Sequence, residues 1–218
     1  MGCSVEKTIE NLKKNNIDAY FCKDENEILT KVKELINKGD VITNGGSVTL
    51  AETGILELIK SGEYRYLDRD KPGLTRAEVE DIYRQAYNAD VYFSSANAIT
   101  ESGYIYNVDG NSNRVSAILY GPKSVILIVG KNKLVKTIED AVERVKKIAA
   151  PKNAVRLGLD TYCSKTSNCV SLQKGCENSE ICDGCASDTR ICCNYVLSGM
   201  QRHKNRIKVI IVDKDFGY

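Results

Sequence analysis

The sequence has few of the residues on which several common functional sites depend. Its 218 residues include one histidine, His203, and three prolines. A Ser/His/Asp or Cys/His catalytic group would therefore need His203, which lies among basic residues in "MQRHKNRIK". That setting is typical of a solvated basic turn. The scarcity of histidine also favours sulfur ligands alone for any metal site in this chain.

Neither sign of charge dominates, and no long apolar segment is present. The chain has 31 Lys and Arg against 29 Asp and Glu, a net charge of +2. A charge this small gives no strong field to recruit nucleic acid or a membrane surface. No apolar run approaches the roughly 18 residues of a membrane span, and "MGCSVEKTIENL" lacks the apolar centre of a signal peptide. We therefore expect a cytoplasmic protein that binds neither nucleic acid nor membranes.

Segments with strand and helix patterns alternate through the first half of the chain. Helices are predicted over 4–16, 26–39 and 75–88 and from about Ser47, and strands over 18–22, 40–43 and 64–68. This alternation predicts an α/β fold with a mostly parallel sheet and flanking helices. The later segments are predicted as strands over 89–100, 103–109, 114–121, 124–130 and 206–213, and as a helix over 133–150 that ends at Pro151. We expect a single domain over 1–218, with 161–194 as an excursion and 206–213 returning to the sheet.

Two polar segments follow predicted strands and are candidates for ligand binding. In open α/β sheets, ligands collect outside the carboxyl ends of the strands. The first segment is glycine-rich, so its backbone can approach an anion closely, and the second carries amides, a carboxylate and an arginine. The predicted substrate-binding residues are Gly45, Gly46, Ser47, Thr49, Asn97, Asn107, Asp109, Asn113 and Arg114.

Glu101, between Thr100 and Ser102, is the best single carboxylate for acid/base or nucleophilic catalysis. Plainer interpretations stay open for these segments. Ser47 could simply cap a helix, and Glu101 could be a solvated loop charge.

Seven of the nine cysteines lie between residues 163 and 193, with spacing C-x5-C-x6-C-x5-C-x2-C-x6-C-C. In a reducing compartment, clustered thiols are more often metal ligands or redox groups than disulfides. Four thiolates are the usual ligand set of both zinc and iron–sulfur clusters. The spacing does not decide between the two.

The chain resembles the lactate-utilization (LUD-domain) family, on the evidence of three segments. These are "GGSVTLAETG" (45–54), "ADVYFSSANAITESGYIYNVDGNSNRVSAILYGPKSVILIVGKNKLV" (89–135) and "RIKVIIVDKDFGY" (206–218). The resemblance implies a fold like that of sugar-phosphate isomerases and CoA-transferases. It also implies a role in oxidising lactate or a similar 2-hydroxy acid, with iron–sulfur or other redox proteins as partners.

Stand-alone members of clostridial type carry a similar cysteine pattern, "TxCxxTxxC…CxxxxRIC". By that resemblance the metal ligands are Cys163, Cys169, Cys185 and Cys192, and a 4Fe-4S cluster is favoured over zinc. The insertion "VSLQKGCENSEICDG" departs from the pattern, so that Cys176 and Cys182, and also Cys193, are alternates.

Three functions follow from these observations. The favoured one is a lactate-utilization protein that binds a small anionic metabolite and carries a cysteine-ligated centre. A second is a transferase, isomerase or hydrolase acting on a CoA thioester or sugar phosphate, with Glu101 as the catalytic group and zinc as a structural ion. A third is a non-catalytic assembly or sensor protein. Whether the chain is catalytic alone, and whether it forms an oligomer, stays open.

Overall fold

A computed structural model describes residues 2–173 and 180–218. The strands are β1 (Asp18–Cys22), β2 (Val41–Asn44), β3 (Arg65–Tyr66), β4 (Val91–Ser94), β5 (Ala98–Thr100), β6 (Ile105–Asp109), β7 (Ser124–Gly130), β8 (Leu134–Val135), β9 (Asn194–Ser198) and β10 (Ile207–Val212). The helices are α1 (Val5–Lys14), α2 (Glu25–Leu35), α3 (Val48–Glu52), α4 (Ile55–Ile59), α5 (Arg76–Gln85), α6 (Asn113–Leu119), α7 (Ile138–Arg144), α8 (Ala150–Arg156) and α9 (Tyr162–Thr166).

The main sheet has six strands in the order β1-β10-β7-β4-β2-β3. Every pair of neighbours in it is parallel. The last strand of the chain, β10, lies between β1 and β7, with Ala19 opposite Val209 and Val125 opposite Ile207. The predicted α/β fold with a mostly parallel sheet and flanking helices is therefore confirmed.

The sheet is buried on both faces because alternate side chains of its strands point to opposite sides. Val209 and Ile211 of β10 belong to the core packed against α1 and α6. Ile210 and Val212 belong to the opposite core, packed against α2, α3 and α4. Near-continuous apolar runs such as "SVILIVG" are what a doubly covered parallel strand requires.

A second sheet of four strands has the order β8-β5-β6-β9. β6 is antiparallel to both β5 and β9, whereas β8 is parallel to β5. Tyr106 and Val108 of β6 pack against Ala141, Val145 and Ala149 of the helical segment that follows β8. The sequence patterns did not indicate this second sheet.

The prediction of a strand over 114–121 was wrong, because most of this segment forms α6. The Asp109 carboxylate accepts the backbone N–H groups of Asn111 and Ser112 at 3.1 and 3.0 Å and so turns the chain after β6. Ser112 then adopts a left-handed conformation with φ of 62°. A short apolar run such as "VSAIL" has no periodicity that separates a strand from a buried helix.

The single helix predicted over 133–150 is also corrected. Residues 131–133 form a 3-10 turn, β8 follows, and α7 begins only at Ile138. The helix does not end at Pro151, since it continues through a π-helical stretch, Val145–Ala149, into α8. Proline has no N–H and clashes with the carbonyl of the preceding turn, and a wider π turn accommodates both effects.

Local signals for helix starts agree with the structure, whereas the helix predicted over 26–39 already ends at Leu35. Ser4 caps α1, and Thr75 and Glu78 form the predicted capping box of α5. The helix predicted from about Ser47 is divided into α3 and α4 at Gly54, whose φ is 73°. Within the described residues, no helix combines the length and the apolar character that crossing a bilayer demands.

Candidate ligand-binding cleft and cysteine cluster

A cleft with a volume of about 250 Å³ lies beside the carboxyl ends of β2, β4 and β6. Its walls are the loop 46–48 after β2, the loop 95–97 after β4, and the turn 108–114 between β6 and α6. α8 and Tyr218 complete it. The main parallel sheet supplies two of these strand ends, so the cleft lies where ligands of open α/β sheets are found.

The charged side chains that line the cleft are mainly cationic. They are Arg69, Arg114 and Arg156, together with the basic Lys133, against one acidic side chain, Asp109, among the described residues. The positive potentials of the three arginines add in the cleft and favour an anionic ligand. A volume near 250 Å³ is just under the usual range of drug-sized pockets, and it suits a small metabolite.

The structure brings most of the predicted substrate-binding residues to this cleft. Gly46, Ser47, Asn97, Asp109, Asn113 and Arg114 line it. Gly45, Thr49 and Asn107 do not line it, but each lies against a residue that does, Arg114 or Lys133. A Cβ atom at Gly45 would lie only 2.9 Å from Tyr92 Oη and 3.0 Å from Arg114 Cγ, so this glycine permits the loop to approach the arginine. The Ser47 hydroxyl caps α3 by accepting the Leu50 N–H at 3.4 Å.

Arg114 is an organiser of the cleft wall. Its Nη1 donates to Ser95 O and to Asn107 Oδ1 at 3.3 and 2.7 Å. Its Nη2 donates to Asn97 Oδ1 and to Val108 O at 3.1 and 2.9 Å. Nε lies 3.3 Å from Asp109 Oδ2. A guanidinium has five N–H donors, and each nitrogen already has protein acceptors. Bidentate pairing of Arg114 with a ligand would have to displace some of them.

Sequence reasoning missed Lys133, which lines the cleft although its accessible surface is only 3%. Its Nζ donates to the hydroxyl oxygens of Thr49 and Ser95 at 2.8 and 3.0 Å. Burial, with Arg144 and Arg114 nearby, lowers the pKa of Lys133 to about 7. The signal available in the sequence was a lysine three residues beyond a buried apolar strand, but the helix predicted over 133–150 hid it.

Glu101 is not among the residues that line the cleft. Its carboxylate accepts the backbone N–H of Ser4 at 3.0 Å, and its carbonyl accepts Asn11 Nδ2 at 2.8 Å. The hydrogen bond from Ser4 lowers the pKa of the Glu101 carboxyl. These contacts attach α1 to the end of β5.

Four thiols line a second, smaller cavity of about 20 Å³ beneath α7 and α8. They are Cys163, Cys169, Cys185 and Cys192, the four predicted ligands. Cys182 and Cys193 are exposed and do not line this cavity, and Cys176 lies outside the described residues. All eight cysteines in the described ranges are free thiols.

Arg190 holds the loops of this cavity together and was also missed by sequence reasoning. It donates to the carbonyls of Cys182, Cys185 and Cys192 at 2.6, 3.1 and 2.8 Å. Over residues 2–173 and 180–218, no set of three or more His, Cys, Asp or Glu side chains is arranged to hold a metal ion. Cys192 lines both cavities, so the thiol cavity adjoins the cationic cleft.

The fold and the two cavities define an α/β protein with a cleft lined by basic side chains beside a group of cysteines. Residues 5–212 match the LUD domain family, and the chain therefore belongs to that family. Its fold is similar to that of a DUF162 family protein from Deinococcus radiodurans, solved as a crystal structure at 1.70 Å resolution. The two chains are 16% identical, the similarity covers 95% of each, and the TM-score is 0.51. None of the curated proteins compared with this chain shows a significant match.

Proposed function

We propose that this protein binds a small carboxylate metabolite in the cationic cleft and carries an inorganic centre on its clustered cysteines. The system it serves would oxidise lactate or a similar 2-hydroxy acid, as membership of the LUD domain family suggests. One observation carries the proposal: four thiols line a single cavity that shares Cys192 with the cleft.

The donor set suits a thiolate-bound centre. Cys163, Cys169, Cys185 and Cys192 would hold it, and no imidazole or carboxylate is needed. Four thiolates suit a tetrahedral zinc ion and a 4Fe-4S cluster alike. The role in oxidation that the LUD domain family suggests favours iron–sulfur over zinc. Such a cluster supplies electron transfer to or from a partner redox protein.

The cleft suits the metabolite. A lactate-type acid has one carboxylate and one hydroxyl or carbonyl oxygen, and cationic groups face the cavity from several elements. A carboxylate in a site with little water gains more from these charges than it would in bulk solvent. We place the protein in the cytoplasm, where the thiols stay reduced until a metal occupies them.

The proposal is tested by purifying the protein under anaerobic conditions, recording its visible absorption, and measuring iron, sulfide and zinc. A brown protein with equal amounts of iron and sulfide supports the cluster. A colourless protein with one zinc per chain supports the structural-ion alternative. A protein without either metal, purified from cells supplied with both, contradicts the proposal.

Adjacent cysteines offer a matched pair of variants. Cys192→Ser removes a thiol that lines the cavity, and we expect it to lower the metal content several-fold. Cys193→Ser changes an exposed thiol one residue away and should leave the metal content unchanged. Equal metal loss in the two variants, or none in either, would count against the assigned ligands.

The transferase, isomerase or hydrolase alternative assigns catalysis to Glu101. The contacts of Glu101 with Ser4 and Asn11 explain its position structurally, and they give this alternative no support. The assembly or sensor alternative expects metabolite affinity to be unchanged when Gly46 and Arg114 are replaced, whereas the proposed function expects affinity to fall.

A further inference from the structure

Lys133 is a buried lysine in a cationic setting. It follows β7 in the 3-10 turn Lys131–Lys133 and reaches the floor of the cleft. Arg144 from α7 and Arg114 from α6 face it with like charge, and Glu52 from α3 is the carboxylate whose field opposes theirs. Within the described residues, no carboxylate lies within 4 Å of its Nζ.

Lys133 Nζ makes two hydrogen bonds, and its remaining bonding position has no protein partner among the described residues. The Thr49 hydroxyl donates to Phe216 O at 3.3 Å, and the Ser95 hydroxyl donates to Ala96 O at 3.5 Å. Both hydroxyl oxygens therefore act as acceptors toward Lys133. A neutral amine satisfies them with its two N–H groups and keeps a lone pair. An ammonium group has a third N–H, which has no protein acceptor among the described residues.

This arrangement makes the charged form costly while the cleft contains no anion. An ammonium group removed from water needs a counter-charge, and the nearest strong charges include two guanidinium groups. The lowered pKa of Lys133 agrees with this geometry. An anion in the cleft would supply both the missing charge and the acceptor for the third N–H.

We propose that Lys133 is the anion anchor of the cleft: its amine is neutral when no ligand is bound and takes up one proton as a small anion binds. This inference rests on the proposed function, since it requires an anion in the cleft. The proton comes from solvent, and the bound state is an ammonium–anion pair. Affinity and pH are therefore linked through this one residue.

The ligand-free state is tested by NMR titration of the full chain labelled with [13C]lysine. We expect the Cε signal of Lys133 to titrate near neutral pH. The signal that titrates near neutral pH should be absent in Lys133→Arg and Lys133→Met, the second of which keeps an unbranched apolar stem in the buried position. A wild-type protein without any lysine signal that titrates near neutral pH would overturn the inference.

The bound state is tested by calorimetry with pyruvate, L-lactate and sulfate, each in two buffers with different ionisation enthalpies. Above the Lys133 pKa we expect proton uptake approaching one per bound anion and affinity falling up to about tenfold per pH unit. Lys133→Arg, which is always charged, should bind without proton uptake.

The outcomes separate this inference from the proposed function. Pyruvate or lactate binding without proton uptake overturns the role of Lys133 but leaves the proposed function intact. Sulfate binding with proton uptake, while neither carboxylate binds, supports the anchor and contradicts the lactate-type ligand. Failure of all three anions to bind overturns both.

Discussion

Replacing Arg114 with alanine should destabilise the protein strongly, because one side chain ties together three segments of the cleft wall. Arg114 belongs to α6, and its guanidinium bonds to the loop after β4 and to β6, including the Asp109 carboxylate. The Arg114 side chain is 14% exposed and that of Asp109 is 9% exposed, so most of these contacts are shielded from solvent.

The size of the destabilisation in Arg114→Ala follows from the contacts that the acceptors of the guanidinium would lose. Breaking a buried ion pair by removing one partner costs about 3–5 kcal/mol. Asn97 Oδ1 keeps a hydrogen bond from Val108 N at 2.8 Å, and water entering the cleft can reach part of the wall. Both effects place the expected loss of unfolding free energy near the lower limit, about 3 kcal/mol. Arg114→Lys keeps the charge but not the planar donors, and we expect about half of that loss.

The assay is urea unfolding followed by circular dichroism and by tyrosine fluorescence, since the chain has 12 tyrosines and no tryptophan. A matched control is Arg84→Ala, whose side chain is 73% exposed and lies 3.9 Å from Glu80. Exposed pairs of this kind contribute less than about 1 kcal/mol. If Arg114→Ala were as stable as Arg84→Ala, with an unchanged dependence on urea, the assignment of Arg114 as the organiser would be refuted.

Three further predictions concern the surroundings of the cleft. Glu101→Gln should leave pyruvate affinity, measured by calorimetry, within about twofold of wild type, or about 0.4 kcal/mol, because Glu101 does not line the cleft. Loss of pyruvate binding would instead support the alternative in which Glu101 is the catalytic group. Gly103→Ala should lower the free energy of unfolding in urea by more than about 3 kcal/mol, because a Cβ there would lie 2.6 Å from the backbone of Asn11 and φ is 78°. Gly73→Ala is the control: its φ is 87° but the space around it is open, so the expected loss is about 1 kcal/mol. The pKa of Lys133 is about 7 in the native protein and about 10.4 in the unfolded chain. Between these pH values the unfolded chain binds more protons, so the free energy of unfolding of the wild type should increase with pH by up to about 1.4 kcal/mol per pH unit. Lys133→Met should abolish this increase. A wild-type slope equal to that of the variant would contradict the third prediction.

The parts of the fold that depend on short segments were predictable. The caps at Ser4 and Thr75 satisfy backbone groups within three residues, so the local sequence specifies them. The buried runs of β7 and β10 are apolar enough to indicate strands covered on both faces. The segment 113–119 was mispredicted because its conformation depends on a turn held by the Asp109 carboxylate, a contact that apolar periodicity does not report.

The candidate site likewise has features that the sequence predicted and features that only the tertiary structure decided. The sequence alone predicted ligand-binding residues after the strands, since glycines and polar side chains cluster after "VIT" and "VYF". The family resemblance indicated which four thiols to consider as ligands. Only the tertiary structure decided that Glu101 anchors α1 and that Lys133 lies on the floor of the cleft. It also decided that Cys192 adjoins both cavities. The physical reason is the sequence separation of the contacts. Caps, turns and periodicity depend on residues a few positions apart. The burial of Lys133 depends on parallel crossovers that bring Thr49, Ser95 and Lys133 together across 84 residues of chain.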